Sequence, residues 1–114
     1  MLMKNKNLNK IRKISLFEDN WNGNGGEKFS KTSIRYFETM IKELKRQPEI
    51  APSGRGSLLM QYRLNDGSLL AFEVNEDKTE KVYIPKGIFQ KAEIENFYGN
   101  AIKKIKESVD LFYS

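Results

Sequence analysis

The sequence predicts one α+β domain with the element order ααβββα, in which helices cover one face of a three-stranded antiparallel meander. Three observations predict it. Apolar residues recur at three-four spacing around Leu8–Ile14, Ile34–Leu44 and Ile94–Phe112, and they alternate with period two between Leu58 and Ile84. Glycine, proline and asparagine clusters punctuate the intervals between these runs. At 114 residues the chain supports a single modest core, burying roughly 60–70% of the unfolded surface.

The first helix carries Leu8, Ile11 and Ile14 on one stripe, with Lys10, Arg12 and Lys13 between them. Residues 1–7 precede it as a basic, Asn-rich arm whose order the sequence leaves open. From Glu18 to Gly26, three glycines and three asparagines in nine residues favour turns and left-handed backbone, so the helix stops there. Ser30 is placed to cap a second helix with Ile34, Phe37, Ile41 and Leu44 on its apolar face, and Pro48 disfavours helix at Gln47. The segment Pro48–Gly56 reads as a link.

Leu58, Met60, Tyr62 and Leu64 then point one way, with Gln61 and Arg63 on the other face. Asn65-Asp66-Gly67-Ser68 is a hairpin signal, and Leu70, Phe72 and Val74 resume the alternation. A second turn over Asn75–Thr79 leads to Val82 and Ile84 in a third strand, which Pro85 ends. Ile94, Phe97, Ala101, Ile102, Ile105, Val109 and Phe112 predict a last helix, with Gly99 marking a place where it can break.

Composition excludes several chemistries. The chain has no Cys and no His, which removes thiolate nucleophiles, disulfides, the usual neutral-pH base and the common zinc ligands. No catalytic residue, cofactor or metal site is expected, and an enzyme is the least favoured class. The formal net charge is +5, and Lys4, Lys6, Lys10, Arg12 and Lys13 precede Phe17 with no acid among them, so the remaining residues hold 15 cations and 15 acids. That cluster reads either as an arm for nucleic acid or an acidic protein surface, or as a solvated helix face. The sequence contains no apolar run of signal or transmembrane length, and the expectation is a cytoplasmic protein with no membrane contact.

The local motifs are weighed one by one. Gly23-Asn24-Gly25-Gly26-Glu27-Lys28 lacks the spacing of a phosphate loop, and Glu27 would repel a phosphate. Trp21 and Asn22 sit in this turn, where Trp21 serves either as a plug on the core or as an anchor for a partner. Arg55, between Gly54 and Gly56, either reaches an anion or keeps the loop soluble. Glu43-Leu44-Lys45 and Glu76-Asp77-Lys78 match a nuclease tripeptide but fall on a helix and in a turn. Tyr62 and Phe72 belong to the predicted core set and not to an RNA-stacking sheet.

Asn20-Trp21-Asn22-Gly23-Asn24-Gly25, the helix after it, the link Pro48–Ser57 and an alternating strand together resemble a family of small proteins from bacteria, phages and plasmids. That family has a W-[DN]-G-x-G turn, a helix, a proline-containing link and a strand meander. The resemblance spans about Leu16 to Val74, and Gly26 stands where the family pattern has alanine. The Asn/Lys/Ile-rich composition is similar to that of low-GC Gram-positive bacteria and their mobile elements, whose small proteins include anti-CRISPR inhibitors. The resemblance therefore implies a type II anti-CRISPR, a non-enzymatic inhibitor that binds Cas9 and interferes with guide RNA loading. A DNA mimic must be acidic, so the net charge argues against that route. An antitoxin or immunity protein, or a small nucleic-acid binder using the N-terminal cations, are the other expectations, with Lys4, Lys6, Lys10, Arg12, Lys13, Trp21, Asn22 and Arg55 as partner-binding residues. RNA contact through the N-terminal cations stays open, as does the oligomeric state.

Overall fold

Ser30 opens its helix as its residue type suggests: its Oγ accepts a hydrogen bond from the Ser33 backbone N–H at 3.1 Å. A computed structural model of the chain describes residues 2–114. Three helices, α1 (Leu2–Ile14), α2 (Lys31–Glu43) and α3 (Ile102–Phe112), accompany five strands, β1 (Glu49–Pro52), β2 (Leu58–Arg63), β3 (Leu69–Val74), β4 (Lys78–Ile84) and β5 (Glu93–Tyr98). The strands form one antiparallel sheet in the order β1-β2-β3-β4-β5. The protein is thus α+β with a five-stranded meander, two strands more than expected.

Both additional strands flank the three expected ones. β1 lies in the predicted link, where the prolines at 48 and 52 leave room for a four-residue strand that tolerates them only at a sheet edge. β5 occupies what reads as the first turns of the last helix. Ile94 and Phe97 fit a helical stripe, yet they lie on opposite faces of a strand that pairs with β4 from Tyr83↔Glu93 to Lys78↔Tyr98. Gly99 ends the strand with φ 75°, and its N–H donates to the Asp77 carbonyl at 2.8 Å. The break at Gly99 therefore separates a strand from a helix.

The residues expected as a basic arm continue α1 back to Leu2. Tertiary contacts hold this half of the helix. Asn7 is buried and donates to Gln47 Oε1 and to the Pro48 carbonyl, each at 3.0 Å. Met1 lies outside the described residues.

All three helices pack on the same sheet face. Ile11 and Ile14 of α1, Phe37, Met40 and Ile41 of α2, and Ile105 and Val109 of α3 share one cluster with Leu58, Met60, Leu70, Phe72 and Val74. The alternation in β2 and β3 has the expected phase. In β4 it does not: Val82 pairs with Ala71 and Ile84 with Leu69, which puts both on the far face, while Thr79, Lys81 and Tyr83 point toward the helices. The two-residue turn Glu76-Asp77, closed by Asn75 N–H to the Lys78 carbonyl at 2.9 Å, starts the strand earlier than expected and sets this register.

Candidate functional site

The fold brings Trp21, Asn22 and Arg55 to one corner. The Glu27 N–H donates to the Gly54 carbonyl at 3.0 Å, which ties the glycine-asparagine turn to the β1–β2 loop that carries Arg55. Within the turn, Asn20 Oδ1 accepts from the Gly25 N–H at 2.7 Å, and Asn22 Oδ1 accepts from the Asn24 and Gly26 N–H groups at 2.9 and 2.8 Å. Trp21 stacks on Phe17 with ring centroids 4.8 Å apart, and its Nε1–H donates to the Glu27 carbonyl at 2.9 Å. The indole packs against the core cluster, so its contacts are those of a plug. A Cβ on Gly26 would lie 2.8 Å from both Asn22 Oδ1 and Trp21 Nε1, so the turn as folded has room for glycine alone at this position.

Arg55 is exposed but engaged. Its Nε and Nη2 donate to the two carboxylate oxygens of Glu73 at 3.1 and 2.5 Å, and Ser57 Oγ donates to Glu73 Oε2 at 2.6 Å. Burial pushes the Glu73 carboxyl up, but the hydrogen bonds from Ser57 and Arg55, with the charges of Arg55 and Lys78, outweigh it and hold it below the ordinary range. A carboxyl lowered in the folded state stabilises the fold above its unfolded value and loses that stabilisation as pH falls through the folded one. Glu73→Gln is accordingly expected to be less stable than the parent near neutrality, with the gap closing at acid pH as the depressed Glu73 carboxyl takes up its proton. Melting temperatures across that range check this; a gap constant with pH would contradict it.

Glu73 belongs to the sheet face that no helix covers. There the register aligns Glu49, Gln61, Ala71, Val82 and Ile94 in one row, and Ala51, Leu59, Glu73, Glu80 and Asn96 in the next. Leu59 is 40% and Ile94 65% exposed. A depression of ≈ 380 Å³ lies over this face, and the charged residues lining it are Glu49, Glu73 and Glu80, with no cation. Glu73 and Glu80 stand directly opposite each other, an unfavourable like-charge pair that Arg55 relieves from one side.

Sequence reading passed over this face, although a signal exists. Leu58-Leu59 and Leu69-Leu70-Ala71 are apolar in both phases of the alternation, as in strands covered on both sides.

Two of the N-terminal cations also contact other elements of the fold. Lys4 Nζ donates to the Lys42 carbonyl at 3.0 Å and Lys10 Nζ to the Ile50 carbonyl at 2.7 Å, which fastens α1 to α2 and β1. Lys6, Arg12 and Lys13 remain exposed on α1. Among the described residues no group of three or more His, Cys, Asp or Glu side chains is arranged to hold a metal ion, and no helix is long and apolar enough to cross a membrane. No family model, curated protein or solved structure matches this chain.

Proposed function

We propose that this chain is a non-enzymatic protein-binding domain that receives its partner on the uncovered sheet face. The observation that carries this reading is the combination of exposed Leu59 and Ile94 with Ala71 and Val82 on a face whose depression has Glu49, Glu73 and Glu80 as its charged lining, of which Arg55 pairs with Glu73 and leaves Glu49 and Glu80 for a partner. Apolar patches with polar rims are characteristic of interaction sites, and a carboxylate rim complements a Lys/Arg-rich surface. The partner is therefore a protein that presents cations around an apolar anchor. The resemblance of the Asn20–Gly25 turn and the following link to small mobile-element proteins supports trying Cas9 first, with inhibition through hindered guide RNA loading. A cognate toxin is the alternative partner.

Co-purification with Cas9, with and without guide RNA, tests the reading. Binding is expected to weaken at least tenfold in Leu59→Arg, about 1.4 kcal/mol, while the melting temperature stays close to that of the parent. A complex unaffected by Leu59→Arg would exclude this face. No complex and no loss of cleavage at excess protein would exclude Cas9, and rescue of growth on co-expression with a neighbouring toxin would then identify the second class. Binding that instead falls when Lys6 and Lys13 are neutralised, with strong salt dependence, would point to nucleic acid.

A further inference from the structure

The two edges of the sheet differ. At β1 the carbonyls of Pro48 and Ile50 are occupied by Asn7 and Lys10 of α1, and Pro52 has no N–H to offer. At β5 six residues run along an edge with no strand beyond them among the described residues, and Ile94 and Tyr98 are 65% and 75% exposed. An open edge of this length is a template for another strand.

We infer that β5 pairs with β5 of a second copy of this chain, antiparallel about a twofold axis at Asn96. The hydrogen-bond phase suits such pairing. The Asn75 N–H bonds the Lys78 carbonyl and the Gly99 N–H bonds the Asp77 carbonyl. By the alternation of an antiparallel ladder, Glu93, Glu95 and Phe97 spend their backbone groups on β4, while Ile94, Asn96 and Tyr98 direct theirs to the open edge. With Asn96 opposite its own copy, those three residues bond across the axis.

The side chains select the same register. On the uncovered face, Ile94 meets Tyr98 of the second copy twice, a favourable pair of a β-branched and an aromatic residue. On the helical side, Glu95 faces Phe97 of the second copy. Lys104 Nζ sits 5.2 Å from the centroid of the Phe97 ring, so each Glu95 gains a cation from the other molecule. Within its own chain Glu95 meets Lys81 Nζ at 3.8 Å, and the Glu95 side chain is 61% exposed. A register centred one residue earlier would set Glu95 against Glu95, which like-charge repulsion disfavours. The pairing joins two sheets into one of ten strands, with both uncovered faces on the same side.

Sedimentation equilibrium of the intact chain tests this. Because a six-residue edge is small for an interface, the expected dissociation constant is on the order of 10 μM. Asn96→Pro deletes an N–H directed outward and is expected to give a monomer whose circular dichroism and melting temperature remain near the parent's. Glu95→Lys is expected to weaken the dimer at least tenfold, and adding Lys104→Glu to it is expected to restore association. A parent chain that stays monomeric at about 300 μM would overturn the inference. So would a dimer that persists in Asn96→Pro, which would put the interface elsewhere. Because Leu59→Arg leaves the edge intact, failure of partner binding and failure of dimerisation are read separately.

Discussion

Phe72→Ala is expected to remove about 3–5 kcal/mol of stability, a large part of the roughly 5–15 kcal/mol that a domain of this size has in all. Phe72 lies on β3, the central strand, is 2% exposed, and has Met60 of β2 and Lys81 of β4 as cross-strand partners. Truncation loses the transfer free energy of the ring and leaves a cavity between sheet and helices that neighbouring strands cannot close without losing register. Thermal melting should show a fall of more than about 10 °C. Leu59→Ala, on the next strand but in the opposite phase, should cost under about 1.5 kcal/mol because its side chain is already 40% exposed. If the two variants melted together, the assignment of the covered and uncovered faces would be wrong.

Trp21→Ala is expected to cost about 2–3 kcal/mol, less than truncation of a fully buried ring because the indole is only half-buried. The variant loses the stack on Phe17 and the hydrogen bond to the Glu27 carbonyl together. Trp21→Phe keeps a ring on Phe17 and forfeits only the hydrogen bond, for about 1 kcal/mol. Partner affinity measured on the folded fraction of each variant separates the two roles open to this residue. Stability lost with affinity retained is the result expected of a plug. Affinity lost in Trp21→Phe at near-parent stability would make Trp21 an interface anchor instead.

The parts legible from sequence share a property: their determinants lie within a few residues of one another. Ser30 and Ser33 make the N-cap, Asn65–Ser68 turns the β2–β3 hairpin, and Leu58, Met60, Tyr62, Leu70, Phe72 and Val74 face the core in the expected phase. At the candidate site, Trp21, Asn22 and Arg55 stood out because tryptophan in a glycine turn and arginine between glycines are unusual neighbours. Their partners stayed hidden. Glu73 lies 18 residues from Arg55, and nothing local links the two.

By itself, then, the sequence determined the α+β class, the central meander and the exclusion of Cys- and His-dependent chemistry. Only the tertiary structure decided the outcome at both ends. Glu93–Tyr98 carries apolar residues at a spacing that a helix and a strand can both use, and the unpaired edge of β4 resolves that choice by supplying backbone partners along the whole segment. The docking of α1 draws Lys4 and Lys10, two of the five leading cations, onto carbonyls of α2 and β1. Side-chain spacing is set by local covalent geometry. Which strand lies beside which, and which sheet face is left open, follows from pairings across tens of residues, and there the carboxylate-rimmed face and the β5 edge arise.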